Sequence, residues 1–170
     1  DVYKRQAVYL EDYLEDKKMR YIKGRKEIKE LKKKLTNIEG KIFEVPNDLN
    51  ASLREYQISG YNWFKTLDYL GFGGILGDEM GLGKTLQTIT LLLSNKGSKS
   101  LIIAPTSLIY NWNNEFKKFA PNMKIAIANG SKEEREKLLK EYKEYDVIIT
   151  TYNLLRRCLL YTSPSPRDGA

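Results

Sequence analysis

Histidine is absent from the 170 residues, cysteine occurs once and proline five times. Without histidine there is no Ser-His-Asp or Cys-His catalysis and no imidazole-bound metal. A lone Cys158 excludes an internal disulfide and a cysteine-based zinc site. The longest apolar runs, such as 101–104 and 91–93, are far too short to span a bilayer. The polar start, residues 1–6, is followed by no apolar core of the secretory kind. Any chemistry must therefore run on Lys, Asp, Glu, Thr, Gln and backbone groups.

What is present is a folded globular balance, 41% hydrophobic and 30% charged. The net charge is +7, from 29 basic and 22 acidic residues. A basic excess suits a polyanionic partner, because Lys and Arg displace condensed counterions from nucleic acid. Charge alone equally fits a solvated lysine-rich surface.

The two ends mirror each other at the level of DNA. Residues 1–6, DVYKRQ, can be encoded as GAT GTG TAT AAG AGA CAG, and the reverse complement of that string, read one base later, translates as CLLYTS, residues 158–163. Such a match resembles translation of a transposase-type library adapter. The expected organisation is an adapter-derived scar at 1–6, a helical extension at 7–44, a truncated lobe at 45–157 and a second scar at 158–170.

Between these ends, elements of two periods alternate. Ile28, Leu31, Leu35 and Ile38 recur at helical spacing within a helical stretch at 7–38, interrupted near Gly24. Lys29, Lys32, Lys33 and Lys34 lie mostly off that apolar face; a solvated helix packing its stripe on the next domain is favoured over a helix leaning on DNA. Pro46 marks a linker. Helix is expected at 52–70, 86–94, 108–119 and 132–142, and strand at 72–76, 100–104, 124–128 and 146–150. Alternation of this kind predicts an α/β fold, a parallel sheet with helices on both faces joined by right-handed crossovers.

The strongest local signal is GGILGDEMGLGKT, residues 73–85. An apolar segment enters a loop containing Gly81 and Gly83, then Lys84, Thr85 and a helix. Glycines let backbone amides approach phosphate oxygens closely. The helix start aims amide donors and its positive dipole end at the same anion. Lys84 would offset charge on the terminal phosphates, and the Thr85 hydroxyl would ligate Mg²⁺. The general phosphate-loop pattern asks for glycine at position 78, where this chain has Asp78; Gly77 falls one residue early.

DEMGLGKT, Asp78 included, resembles motif I of the Swi/Snf family of superfamily-two helicase-like ATPases. Three more segments follow the family's order. LREYQ with GYNW, at 53–57 and 60–63, resembles the Q motif; LIIAPTSL with Asn111 and Trp112 resembles motif Ia; DVIITTY at 146–152 resembles motif Ib. The resemblance covers roughly residues 46–157. It implies a partial RecA-like lobe that takes ATP with Mg²⁺ through Asp78, Glu79, Met80, Gly81, Leu82, Gly83, Lys84 and Thr85. It further implies that Gln57 and Arg54 meet the adenine, Lys84 and Thr85 act in catalysis, and Thr85 serves the metal. Thr106, Ser107, Asn111, Thr150 and Thr151 would face the nucleic-acid backbone, while Trp112 is expected in the core.

By the same resemblance the parent protein is a DNA-dependent ATPase that walks along double-stranded DNA. Its Asp-Glu carboxylate pair would lie beyond residue 157, leaving this fragment without useful turnover. Nucleoid or transcription proteins are the other partners considered, and no membrane partner is expected. The location would be cytoplasmic and nucleoid-associated in a prokaryote, the favoured source, or nuclear in a eukaryote. The competing readings are a nucleotide-dependent scaffold without turnover and an RNA helicase of the same superfamily.

Overall fold

The computed structural model describes residues 25–38 and 40–156. The expected break at Gly24, the helix before it and both terminal scars lie outside the described residues. The chain divides into two compact units: Asp1–Glu44 with Arg54–Leu82, and Val45–Leu53 with Gly83–Ala170.

In the first unit, helix α1 (Arg25–Ile38) forms where the apolar spacing predicts it. Leu31 and Leu35 pack with Ile38 against Leu70 and Phe72, flanked by Phe43 and Leu67, while Lys29, Lys33 and Lys34 stay exposed. Helix α2 (Glu55–Leu70) carries the aromatic run. Its Tyr61 is 1% exposed, so the hydroxyl needs a partner, and it donates to Glu44 O at 3.0 Å. Gly71, left-handed at φ 70°, ends the helix, and the amides of Gly71 and Phe72 donate to Asp68 O and Leu67 O.

The apolar segment 72–76 that follows is not a strand. A strand is defined by a ladder partner as much as by its residues, and this segment belongs to no sheet; Ile75 is 91% exposed. Instead the segment lies along α2. A Cβ at Gly74 would collide with Leu67 Cδ1 and come within 2.7 Å of Trp63 Cη2, so glycine permits that approach.

The second unit is built on three parallel strands in the order β1-β3-β2. Its elements are α3 (Lys84–Ser94), β1 (Ser100–Ala104), α4 (Ile109–Phe119), β2 (Ile125–Ala128), α5 (Lys132–Lys140), a 3₁₀ turn (Tyr142–Glu144) and β3 (Val147–Thr151). The central β3 aligns Ala104 with Thr151 on one side and Ala128 with Thr150 on the other.

One sheet face buries Val147 and Ile149 against Ile89 and Leu93 of α3 and Ile109 and Phe116 of α4. Leu139 of α5 and Tyr142 line a shallow cleft with Leu101 and Ile148, on the opposite face. The α/β architecture with helices on both faces thus stands as the sequence predicts. Strand β1 is less enclosed than its composition suggests, since Leu101 and Ile103 alternate outward and are 54% and 46% exposed. At the amino ends of the strands, Lys96 Nζ sits 2.7 Å from Asp48, and this hydrogen bond holds the Asp48 carboxyl below the usual carboxylate range.

Candidate nucleotide and nucleic-acid sites

Within the first unit, Gln57 is buried at the start of α2. Its Oε1 accepts from the Arg54 amide at 2.9 Å, closing the helix start, and its Nε2 donates to Leu82 O at 3.3 Å. The amide that the sequence assigns to adenine therefore also ties the helix to the glycine loop. Arg54 is exposed beside it. Asp78, Glu79, Met80, Gly81 and Leu82 are all exposed, Met80 at 95%. Gly81 adopts φ 88°, a left-handed conformation that costs other residues about 1–2 kcal/mol.

Within the second unit, Gly83 takes φ 73° at the N-cap of α3. Lys84 and Thr85 form the first turn, both half-buried, and the Gln87 amide returns to Gly83 O at 3.1 Å. Two left-handed glycines directly before a helix start give the loop the backbone that an anion cradle requires. On the residues present, a polyphosphate with Mg²⁺ fits: amide donors, one ammonium, one hydroxyl, and no Cβ at the two bends.

Gln87, which the sequence did not single out, is fully buried one turn further along α3. Among the described residues neither its Oε1 nor its Nε2 has a hydrogen-bond partner. An unsatisfied buried amide costs about 1–3 kcal/mol. Gln87→Met is therefore expected to raise stability by about 1 kcal/mol, read as a higher urea midpoint; a clear loss would show that the amide is paired in solution.

The carboxyl edge of the same unit's sheet gathers the remaining candidates. Thr106 and Ser107 follow β1 and Pro105 in a turn closed by Leu108 N to Pro105 O at 2.8 Å, and both are exposed, as is Asn111 on the first turn of α4. The pairing of Ala104 with Thr151 sets this turn beside the end of β3. There the two threonines face inward: Thr150 Oγ1 donates to Ala128 O at 3.1 Å, and Thr151 Oγ1 accepts from the Leu154 amide at 3.3 Å. Just past that strand end Tyr152 is 65% exposed. Trp112 packs on the core beside Phe116, as expected.

The sequence model of the SNF2-related domain matches residues 56–163. The chain belongs to the SNF2-related domain family. The match runs on past Cys158. Among SNF2-type relatives, an uncharacterized ATP-dependent helicase of Mycoplasma genitalium is 43% identical over 122 residues, covering 69% of this chain and 12% of that protein. Helicase SWR1 of Candida albicans is 44% identical over 119 residues, covering 65% of this chain and 7% of that protein. The chain thus spans only a small part of the length of these relatives. The Sulfolobus solfataricus SWI2/SNF2 ATPase core solved in complex with double-stranded DNA superposes with a TM-score of 0.60 at 42% identity, over 68% of this chain and 24% of that one. Among the described residues no helix is long and apolar enough to cross a membrane.

Proposed function

We propose that this SNF2-type chain is the nucleotide-binding part of an ATP-driven motor that moves along double-stranded DNA. The observation that supports it most is the pair of left-handed glycines, Gly81 and Gly83, leading into Lys84 and Thr85 at the start of α3. ATP with Mg²⁺ would be held by the main-chain amides of this loop, the Lys84 ammonium and the Thr85 hydroxyl. Gln57 and Arg54 would meet the adenine, with Gln57 Nε2 exchanging its bond to Leu82 O for the base. Bound Mg²⁺ supplies charge neutralisation on the phosphates. Asp78, Glu79, Met80 and Leu82 complete the loop.

DNA would lie on the carboxyl edge of the sheet, where open parallel sheets receive their ligands. Thr106, Ser107 and Asn111 are exposed there and can donate to phosphate without reading sequence. Thr150 and Thr151 would shape that edge from within. The similarity to an ATPase core solved with double-stranded DNA supports duplex DNA as partner. An Asp-Glu carboxylate pair needed for hydrolysis would come from the parent protein beyond residue 157, with residues 1–6 and 158–170 read as adapter translations. Recovery of the uninterrupted reading frame at the source locus tests that organisation.

The test of function uses the full-length protein. ATP hydrolysis should rise on addition of duplex DNA of any sequence, and the stimulation should fall steeply with salt. Hydrolysis indifferent to DNA would reject the motor.

A further inference from the structure

Helix α1 holds six basic and two acidic residues in fourteen, RKEIKELKKKLTNI. Its apolar stripe is used up on Leu70 and Phe72 of the same unit, which leaves Lys29, Lys33 and Lys34 exposed. Two lysines from different segments turn onto one ring. Lys34 Nζ lies 5.8 Å from the centre of the Tyr69 ring, and Lys41 Nζ lies 5.5 Å from the same ring and 5.3 Å from Phe43. Lys65 Nζ also approaches Phe43, at 5.8 Å, but Asp68 stands 3.9 Å from it. Lys34 and Lys41 have no carboxylate partner among the described residues.

We propose that this surface, centred on Lys34, Lys41 and Tyr69 and continued by Lys29 and Lys33, is a contact for the phosphate backbone of a DNA duplex, built from residues other than those at the carboxyl edge of the sheet. Bringing two ammonium groups that have no carboxylate partner among the described residues to one ring concentrates positive charge, which the face of an aromatic ring offsets only in part; a polyanion offsets the rest. Lys29, Lys33 and Lys34 span about 8 Å of helix axis, and a duplex presents one negative charge per about 1.7 Å of its axis, so several phosphates lie within reach of the patch. Tyr69 is 37% exposed and has two ammoniums set over it, so it offers little room for a base to stack. That favours backbone contact with a duplex over a single strand. DNA as the duplex rests on the function proposed above.

The experiment follows binding of a short fluorescent DNA duplex to the full 170-residue chain across a range of salt. In K34Q/K41Q the slope of log affinity against log salt is expected to fall by about 2, and affinity at low salt by about tenfold or more, for any duplex sequence. K29Q/K33Q, altered away from the rings, should lower the slope likewise and carries the test if the first variant loses its melting transition. An unchanged slope in a folded variant overturns the proposal, as does displacement of the duplex by polyglutamate at equal charge concentration, which would mark the surface as one for acidic protein. If the unaltered chain binds no duplex, this proposal and the DNA assignment fall together. If Thr106→Ala and Ser107→Ala weaken binding while the lysine variants do not, only this one falls.

Discussion

Lys84→Ala in the full-length protein is expected to abolish DNA-stimulated ATP hydrolysis, lowering kcat by about a thousandfold or more. Lys84 opens α3 directly after the left-handed Gly83, and its half-buried position screens its charge less than a surface site would. In the proposed site the ammonium and the helix dipole would act on the same phosphates. Alanine would remove the one side-chain cation placed to offset charge on the transferring group. Lys84 is not part of the buried apolar core, so unfolding should move by no more than about 0.5 kcal/mol. A variant that melts normally yet hydrolyses normally would remove the lysine from the chemistry.

Phe116→Ala carries the largest expected stability effect, a loss of about 3–5 kcal/mol. Phe116 is 0% exposed and belongs to the cluster that joins α3 and α4 to Val147 and Ile149 of the central strand. Truncation opens a cavity that β3 cannot close, because its register is held by ladders on both sides. Against a typical total of about 5–15 kcal/mol, such a loss removes between about a fifth and all of the stability. Urea denaturation checks it; a change under about 1 kcal/mol would mean that Phe116 is not central to this core.

Much of the second unit is legible in the sequence because burial imposes periodicity. Ile89 and Leu93 on α3, and Ile109 and Phe116 on α4, recur at helical intervals. The strand signals before Pro105 and before Tyr152 mark β1 and β3 within a residue of their observed bounds. On α1, the stripe through Leu31, Leu35 and Ile38 is read correctly for the same reason. Segment 72–76 is misread, because its apolar residues satisfy a strand's composition while strand formation depends on a neighbour that composition does not specify. The outward exposure of Leu101 and Ile103 is likewise a property of what lies over the face, not of the strand.

At the candidate sites, the glycine loop is legible because its spacing has a backbone cause. The partners of the polar side chains are not. No sequence rule links Gln57 to Leu82 O across 25 positions, or turns Thr150 and Thr151 inward while exposing Tyr152. Gln87 carries only one faint signal, a glutamine in a helix whose other buried side chains are Ile89, Thr90 and Leu93.

The most direct measurement is amide NMR of the chain titrated with Mg-ATP. Phosphate capture by main-chain donors predicts large, saturable shifts at Gly81, Gly83, Lys84 and Thr85, lost in Lys84→Ala while the rest of the spectrum stays folded. Shifts confined to other segments, or a spectrum unmoved by the nucleotide, would contradict it.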